Sequence, residues 1–207
     1  MITPPERSPE RDLAIEAMLP FVPLTGWSIQ TLTESAGPDA DLLFTGGPAD
    51  LIEAYVDLAD RRMEAAAAET DLAALRVPAR VRCVIALRLE QGRYHKDAIR
   101  RALGVLALPQ NAAVAARTAS RTVDAIWFAA GDRSADMSWY TKRAILAPIY
   151  AATLLYWLRD SSPDDEDTLA FLDRRLAGVG RLGALRRRID RAMTRLHPNA
   201  RTSEKVG

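Results

Sequence analysis

The sequence predicts an all-α fold, a bundle of about nine or ten helices. Apolar residues recur at helical spacing along most of the 207 residues. Ala, Leu and Arg are frequent while aromatic residues make up only 6%, a mixture that favours helix. Gly and Pro punctuate the periodic stretches as stop signals. Hydrophobic residues at 48% and charged residues at 27% are ordinary for a globular domain, and the length suffices for one full core.

Leu13, Met18, Phe21 and Val22 give the first helix an apolar face that ends near Thr25-Gly26. A short segment runs from Ser28 to Ala36 and stops at Gly37-Pro38. After Gly46-Gly47-Pro48, the residues Leu51, Ile52, Tyr55, Leu58, Ala59 and Met63 mark a long helix that can extend through the alanines to Leu75. Residues 81–89 alternate as a strand would, yet Val81, Val84, Ile85 and Leu89 also form a helical stripe. No second strand is near to pair with, so helix is the expectation.

Helices follow at 95–107 and 110–130, the second stopped by Gly131. Ser134 can cap the next, which carries the apolar run Ala144–Leu158, with Pro148 predicting a kink or a missing bond. Ser162-Pro163 before Asp164, Asp165, Glu166 and Asp167 reads as a helix start, with a hydroxyl cap, Pro in the first turn and acids against the dipole. The chain ends in a basic amphipathic helix around 181–196 and a polar tail. The expected organisation is one domain: a head over 1–47, a body over 48–180, and the basic helix and tail over 181–207.

Composition excludes several chemistries. Cys83 is the only cysteine, so neither an internal disulfide nor a multi-cysteine zinc site is available. His95 and His197 are the only histidines, and His95 is expected as a cap or surface group. No cluster has metal-ligand spacing and no Gly-rich phosphate loop is present, so no cofactor and no enzymatic activity are expected. The longest apolar run has 15 residues, short of the ~20 needed to span a bilayer. The opening MITPPERSPERD resembles neither a signal peptide nor a transit peptide, so a cytoplasmic, bacterial-type chain is expected.

The net charge of +1 hides an asymmetry. Between Asp12 and Asp60 there are nine acids and no Lys or Arg; residues 61–207 carry 26 basic and 16 acidic groups. The order of the head, with Gly26-Trp27 closing the first helix and Ala36-Gly37 before a second short segment, resembles the TetR helix-turn-helix. Its recognition segment, PDADLLFTGG, has Asp39 and Asp41 and no base. Phosphate neutralisation needs Lys or Arg, so the expectation is no nucleic-acid partner.

The blocks AGDRSADMSWYTKRAIL, IYAAT and SSPDDEDTLAFLDRR, together with RALGVLALPQN upstream, resemble the ubiquinone-biosynthesis lipid-binding family, coenzyme Q protein nine. The resemblance covers about residues 10–180. It implies a TetR-like homodimer that has lost DNA binding, holds an isoprenoid or other lipid, and assists a hydroxylase of the quinone ring. The alternative is a TetR-like ligand-responsive transcription regulator, and an isoprenoid-modifying enzyme has no catalytic constellation to support it.

Candidate cavity residues are Leu103, Leu106, Ile145, Ile149 and Leu154, each of which would also suit an ordinary core. Trp139 and Tyr140 stand about 100° apart on a helix. They are either core and rim, or an exposed patch with Ile126 and Asp136 that docks the hydroxylase. Lys142 and Arg143 are expected in salt bridges. In the last helix, Leu182, Leu185, Ile189 and Met193 form a stripe among Arg186, Arg187, Arg188 and Arg191. That pattern suits either the surface of an anionic inner membrane or docking on the protein itself.

Overall fold

The structure is a computed structural model that describes residues 4–132 and 137–178. The described residues are helical and contain no strand. The α-helices are α1 Pro9–Met18, α2 Val22–Thr25, α3 Ile29–Ala36, α4 Gly47–Ala68, α5 Val77–Gln91, α6 Lys96–Leu106, α7 Ala112–Ala129 and α8 Met137–Trp157. A ninth, α9, covers 166–178, and short 3-10 turns fill the connections.

The first helix is two helices. Pro20 has no N–H to continue the ladder, so the chain turns at residues 19–21 and restarts as α2. The turn rotates the apolar face. Ala14, Ile15, Met18, Leu19 and Val22 are buried, whereas Leu13 and Phe21, expected on that face, are exposed. Ser28 caps α3, its Oγ accepting from Thr31 N at 3.0 Å. Trp27 donates from Nε1 to the carbonyl of Ala98 at 2.9 Å, which pins the head to α6.

α4 is the axis of the molecule and lies against α1, α5 and α7. It ends at Ala68 rather than running to Leu75. The Thr70 hydroxyl donates to Ala66 O, and the backbone then turns to bury Leu72. α5 settles the strand–helix ambiguity. Val81, Val84, Ile85 and Leu89 are buried, and Arg88 is buried in the same stripe. α8 continues through Pro148, whose ring leaves the carbonyl of Ala144 without its helical N–H partner.

The start of α9 differs in detail from the expectation. Pro163–Asp165 form a 3-10 turn in which Asp164 and Asp165 have positive φ, 50° and 56°, a region that Asp tolerates better than most residues. The N-terminal groups of α9 are met by Asp160, which accepts from Thr168 N at 2.9 Å, and by Ser162 Oγ, which accepts from Asp167 N at 3.1 Å. Asp165 turns inward to Trp157 Nε1, 3.0 Å, and Lys96 Nζ, 2.9 Å. It ties α6, α8 and α9 together, a role beyond that of an acid at a dipole. The Ser134 cap and the basic helix of 181–196 lie outside the described residues.

The acidic head proves to be wired into the basic body. Six of its nine acids meet a guanidinium: Asp12 with Arg61, Glu16 with Arg62, Asp50 with Arg11, Glu53 with Arg117 and Arg121, Asp57 with Arg7 and Arg61, and Asp60 with Arg88. The charge read along the sequence therefore does not survive as a surface patch. Asp39 and Asp41, on the 3-10 segment Pro38–Leu43 in the place of a recognition helix, have no such partner among the described residues.

Candidate functional site

Two concavities flank α7. Thr118, Ala119, Thr122 and Val123 face the first, while Ser120, Arg121, Asp124 and Phe128 face the second. At about 100° per residue these are two sides of one helix.

The first is a cavity of about 350 Å³ enclosed by α4–α8. Its wall is Ile52, Val56, Leu89, Ile99, Ala102, Leu103, Leu106, Ala147 and Leu154, closed at one end by Trp157. Of the five residues predicted from sequence, Leu103, Leu106 and Leu154 are in this wall. Ile149 is buried but not in it, and Ile145 is 39% exposed. Ile145 stands three residues from Pro148, on the side that α8 turns outward.

Four polar residues interrupt that wall. Arg88 is 6% exposed, and its Nε donates to Asp60 Oδ1 at 2.9 Å. Thr122 Oγ1 donates to Asp60 Oδ2 at 2.8 Å. Both carboxylate oxygens accept, so the geometry suits the ionised acid and the pair is neutral as a unit. Burial works against the charge of Arg88, but the oxygens of Tyr150, Asp60 and Tyr55 more than offset it, and Arg88 stays cationic. Burial pushes the Asp60 carboxyl up, opposed by Arg88 and Thr122. Tyr55 and Tyr150 also line the cavity; burial raises both hydroxyls, and Arg88 opposes it.

Sequence reasoning missed this polar cluster. An arginine three and four residues from Ile85 and Val84, inside the apolar stripe of α5, was the available signal, since arginine is almost never fully buried without a partner.

The second concavity is an open groove of about 780 Å³. Its floor is ionic, with Asp57, Arg61, Glu64 and Arg121, and its rim is aromatic, with Phe128, Trp139 and Tyr140. Trp139 and Tyr140 meet edge to face at 4.8 Å, and the Arg143 guanidinium lies 3.8 Å from the Trp139 ring centroid. Tyr140 is 66% exposed and Phe128 55%.

Ile126 does not belong to this patch. It is fully buried, on the side of α7 that meets the core. Phe128, two residues on, supplies the apolar surface that Ile126 was expected to give. Lys142 and Arg143 form the expected salt bridges, Lys142 to Asp132 at 2.7 Å and Arg143 to Asp124. Asp136 lies outside the described residues, as do Leu182, Leu185, Arg186, Arg187, Arg188, Ile189, Arg191 and Met193.

His95 sits at the N-cap of α6 without a side-chain cap bond, and burial and Arg62 push its pKa down. Among the described residues no three His, Cys, Asp or Glu side chains are placed to hold a metal ion, and no helix is long and apolar enough to cross a membrane.

The COQ9 family model matches residues 112–183, a span that takes in α7, α8 and α9. A mitochondrial ubiquinone biosynthesis protein COQ9 of Xenopus tropicalis is 34% identical over 181 residues, covering 82% of this chain and 57% of that protein. The human protein of the same name is 31% identical, again over 82% and 57%. The Schizosaccharomyces pombe protein is 28% identical over 86% of this chain and 73% of its own. The chain thus spans a little over half the length of its animal relatives. A crystal structure of a TetR transcriptional regulator from Nitrosomonas europaea superimposes with a TM-score of 0.66 at 25% identity, over 82% of this chain and 97% of that one. On a TetR-like all-α fold, and with these relatives along most of its length, the chain belongs to the COQ9 family.

Proposed function

We propose that this protein is a lipid-binding accessory factor of ubiquinone biosynthesis, without catalysis of its own. It holds an isoprenoid or quinone intermediate in the cavity between α4 and α8 and assists a ring hydroxylase at a membrane surface. The observation that carries this reading is the enclosed apolar cavity. At about 350 Å³ it falls in the ~300–1,000 Å³ range of small-molecule sites, and one side of each surrounding helix is given over to it. The names of the relatives supply the pathway.

The groove supports the partner half of the proposal. Exposed Tyr140 and Phe128 beside half-buried Trp139, ringed by charged groups, have the composition of a protein-docking surface. A homodimer is part of the same reading. Leu155 is 57% exposed, and Tyr156 stacks on Phe171 at 4.7 Å, leaving an apolar strip along α8 and α9.

The second reading, a ligand-responsive DNA-binding regulator, is favoured by the likeness in fold to the Nitrosomonas transcriptional regulator. Asp39 and Asp41, in the place where a recognition helix would face phosphates, weigh against it.

Mass spectrometry of lipid extracted from the gently purified full chain tests the choice. A polyprenylated, neutral lipid should co-purify and be lost in Ala147→Phe, which fills the cavity, at unchanged helical content. An empty cavity in the wild type, together with salt-resistant, sequence-specific binding to duplex DNA, would favour the regulator.

A further inference from the structure

The cavity is apolar along most of its wall but has one polar end, and three of the groups there have unused hydrogen-bonding capacity. Arg88 spends only Nε on the protein, in its bond to Asp60. Among the described residues its two terminal nitrogens have no acceptor, although the residue is only 6% exposed and lines the cavity. Tyr55 and Tyr150, 6% and 9% exposed, line the same space, and neither hydroxyl has a hydrogen-bond partner among the described residues.

A purely structural ion pair accounts for Nε and Asp60. It does not account for two guanidinium nitrogens and two phenol groups left at the edge of a cavity, because buried polar groups without partners cost stability. The three are close enough to interact: the charge of Arg88 acts on both hydroxyls, and each tyrosine acts on Arg88.

We propose that Arg88, Tyr55 and Tyr150 form a head-group pole that fixes the orientation of the bound molecule and selects a neutral head with acceptor oxygens. This rests on the reading of the cavity as a lipid site and adds its specificity. Charge balance decides the class. Arg88 is already neutralised by Asp60, so a carboxylate or phosphate head would bring an uncompensated negative charge into a buried site. A ring bearing carbonyl oxygens takes the free N–H and O–H donors without adding charge. A benzoquinone is the simplest such head, with its chain lying along Leu103, Leu106 and Leu154. The apolar wall alone would bind either end of a lipid; the pole makes one direction of insertion preferred.

The test is displacement of the neutral apolar dye N-phenylnaphthylamine from the full-length protein. Three competitors are compared: a benzoquinone bearing two isoprene units, an isoprenoid hydrocarbon of matched length, and dodecanoate. Tyr150→Phe, which keeps the ring, and Arg88→Lys, which keeps the charge but loses the fork of donors, should each weaken the quinone roughly three- to tenfold. The hydrocarbon should be unaffected, which also certifies that the cavity is intact.

Equal losses for quinone and hydrocarbon, or no loss in Tyr150→Phe, would overturn the pole and leave the lipid-binding reading standing. Tighter binding of dodecanoate, lost in the same variants, would overturn the assignment of a neutral head. Failure of the dye and all three competitors to bind would overturn the cavity reading and the pole with it.

Discussion

The cavity and the groove share α7, and through Asp60 and Arg88 they share an ion pair, yet they are built by opposite rules. On the cavity side, side chains are uncharged except at one end, and Arg88 there has a single partner. On the groove side, charges are plentiful and several have more than one partner: Asp57 binds both Arg7 and Arg61, and Glu53 binds both Arg117 and Arg121. Removing one charge from the groove leaves a network; removing Arg88 leaves Asp60 alone in the core. Similar chemistry has different consequences according to how much water and how many alternatives are near.

The largest expected effect follows from that contrast. Arg88→Met should destabilise the protein by about 3–5 kcal/mol, because Asp60 is then a buried carboxylate without its cation. The paired replacement Arg88→Met with Asp60→Leu should recover most of the loss. Arg117→Met, whose partner Glu53 keeps Arg121, should cost about 1 kcal/mol or less. Urea unfolding of the variants measures all three. Equal losses for Arg88→Met and Arg117→Met would show that the two sides do not differ in this way.

A second pair of substitutions sharpens the comparison at the aromatic rim. Ile126→Ala should cost about 2–5 kcal/mol, as expected for truncating a fully buried side chain. Trp139→Lys should cost about 1 kcal/mol, mainly the stacking with Arg143. Capture of the ring hydroxylase should behave in the reverse order, lost in Trp139→Lys and retained by folded Ile126→Ala. A Trp139→Lys protein that melts as low as Ile126→Ala would identify a core tryptophan and remove the rim from the docking surface.

The two sides also differ in how legible they were. The apolar wall follows a helical period, so Leu103, Leu106 and Leu154 could be picked from the sequence, and the stripe of α5 could be separated from a strand. Ile149 and Ile145 show the limit of that method: period gives a face, and only packing says whether the face meets cavity, core or solvent. Ile126 and Phe128 are two residues apart on α7 and point to different sides, a distinction that composition does not carry. The charges were least legible. Asp12 and Arg61 are 49 positions apart and 2.6 Å apart in space, so a charge map along the chain described a patch that folding neutralises. The break between α1 and α2 was readable, since Pro20 stands in the middle of the segment and its missing N–H decides the matter.

The smallest effect concerns α8 itself, which carries Trp139 at the groove and Trp157 at the end of the cavity. Its C-terminal end is held by Asp160, which accepts from Ser162 N at 2.8 Å, from Thr168 N at 2.9 Å and from the Thr168 hydroxyl. Burial raises this carboxyl, but the bonds from Thr168 and Ser162 outweigh it and bring its pKa from 3.8 to about 2. A depressed acid stabilises the folded chain above its unfolded pKa, and that contribution is lost as pH falls from about 4 to about 2. With the joint open to solvent, it is worth about 1 kcal/mol or less. Asp160→Asn should therefore be slightly less stable than the wild type at pH 6 and should approach it near pH 2. Trp157 bonds Asp165 in the same joint, so loosening it should weaken binding of an apolar dye in the cavity before it disturbs capture at Trp139. A constant gap between Asp160→Asn and wild type from pH 6 to pH 2 would show that the carboxylate contributes shape and not charge. A loss of capture that precedes the loss of dye would show that α8 transmits the change along its length, and the two sites would then have to be treated as one.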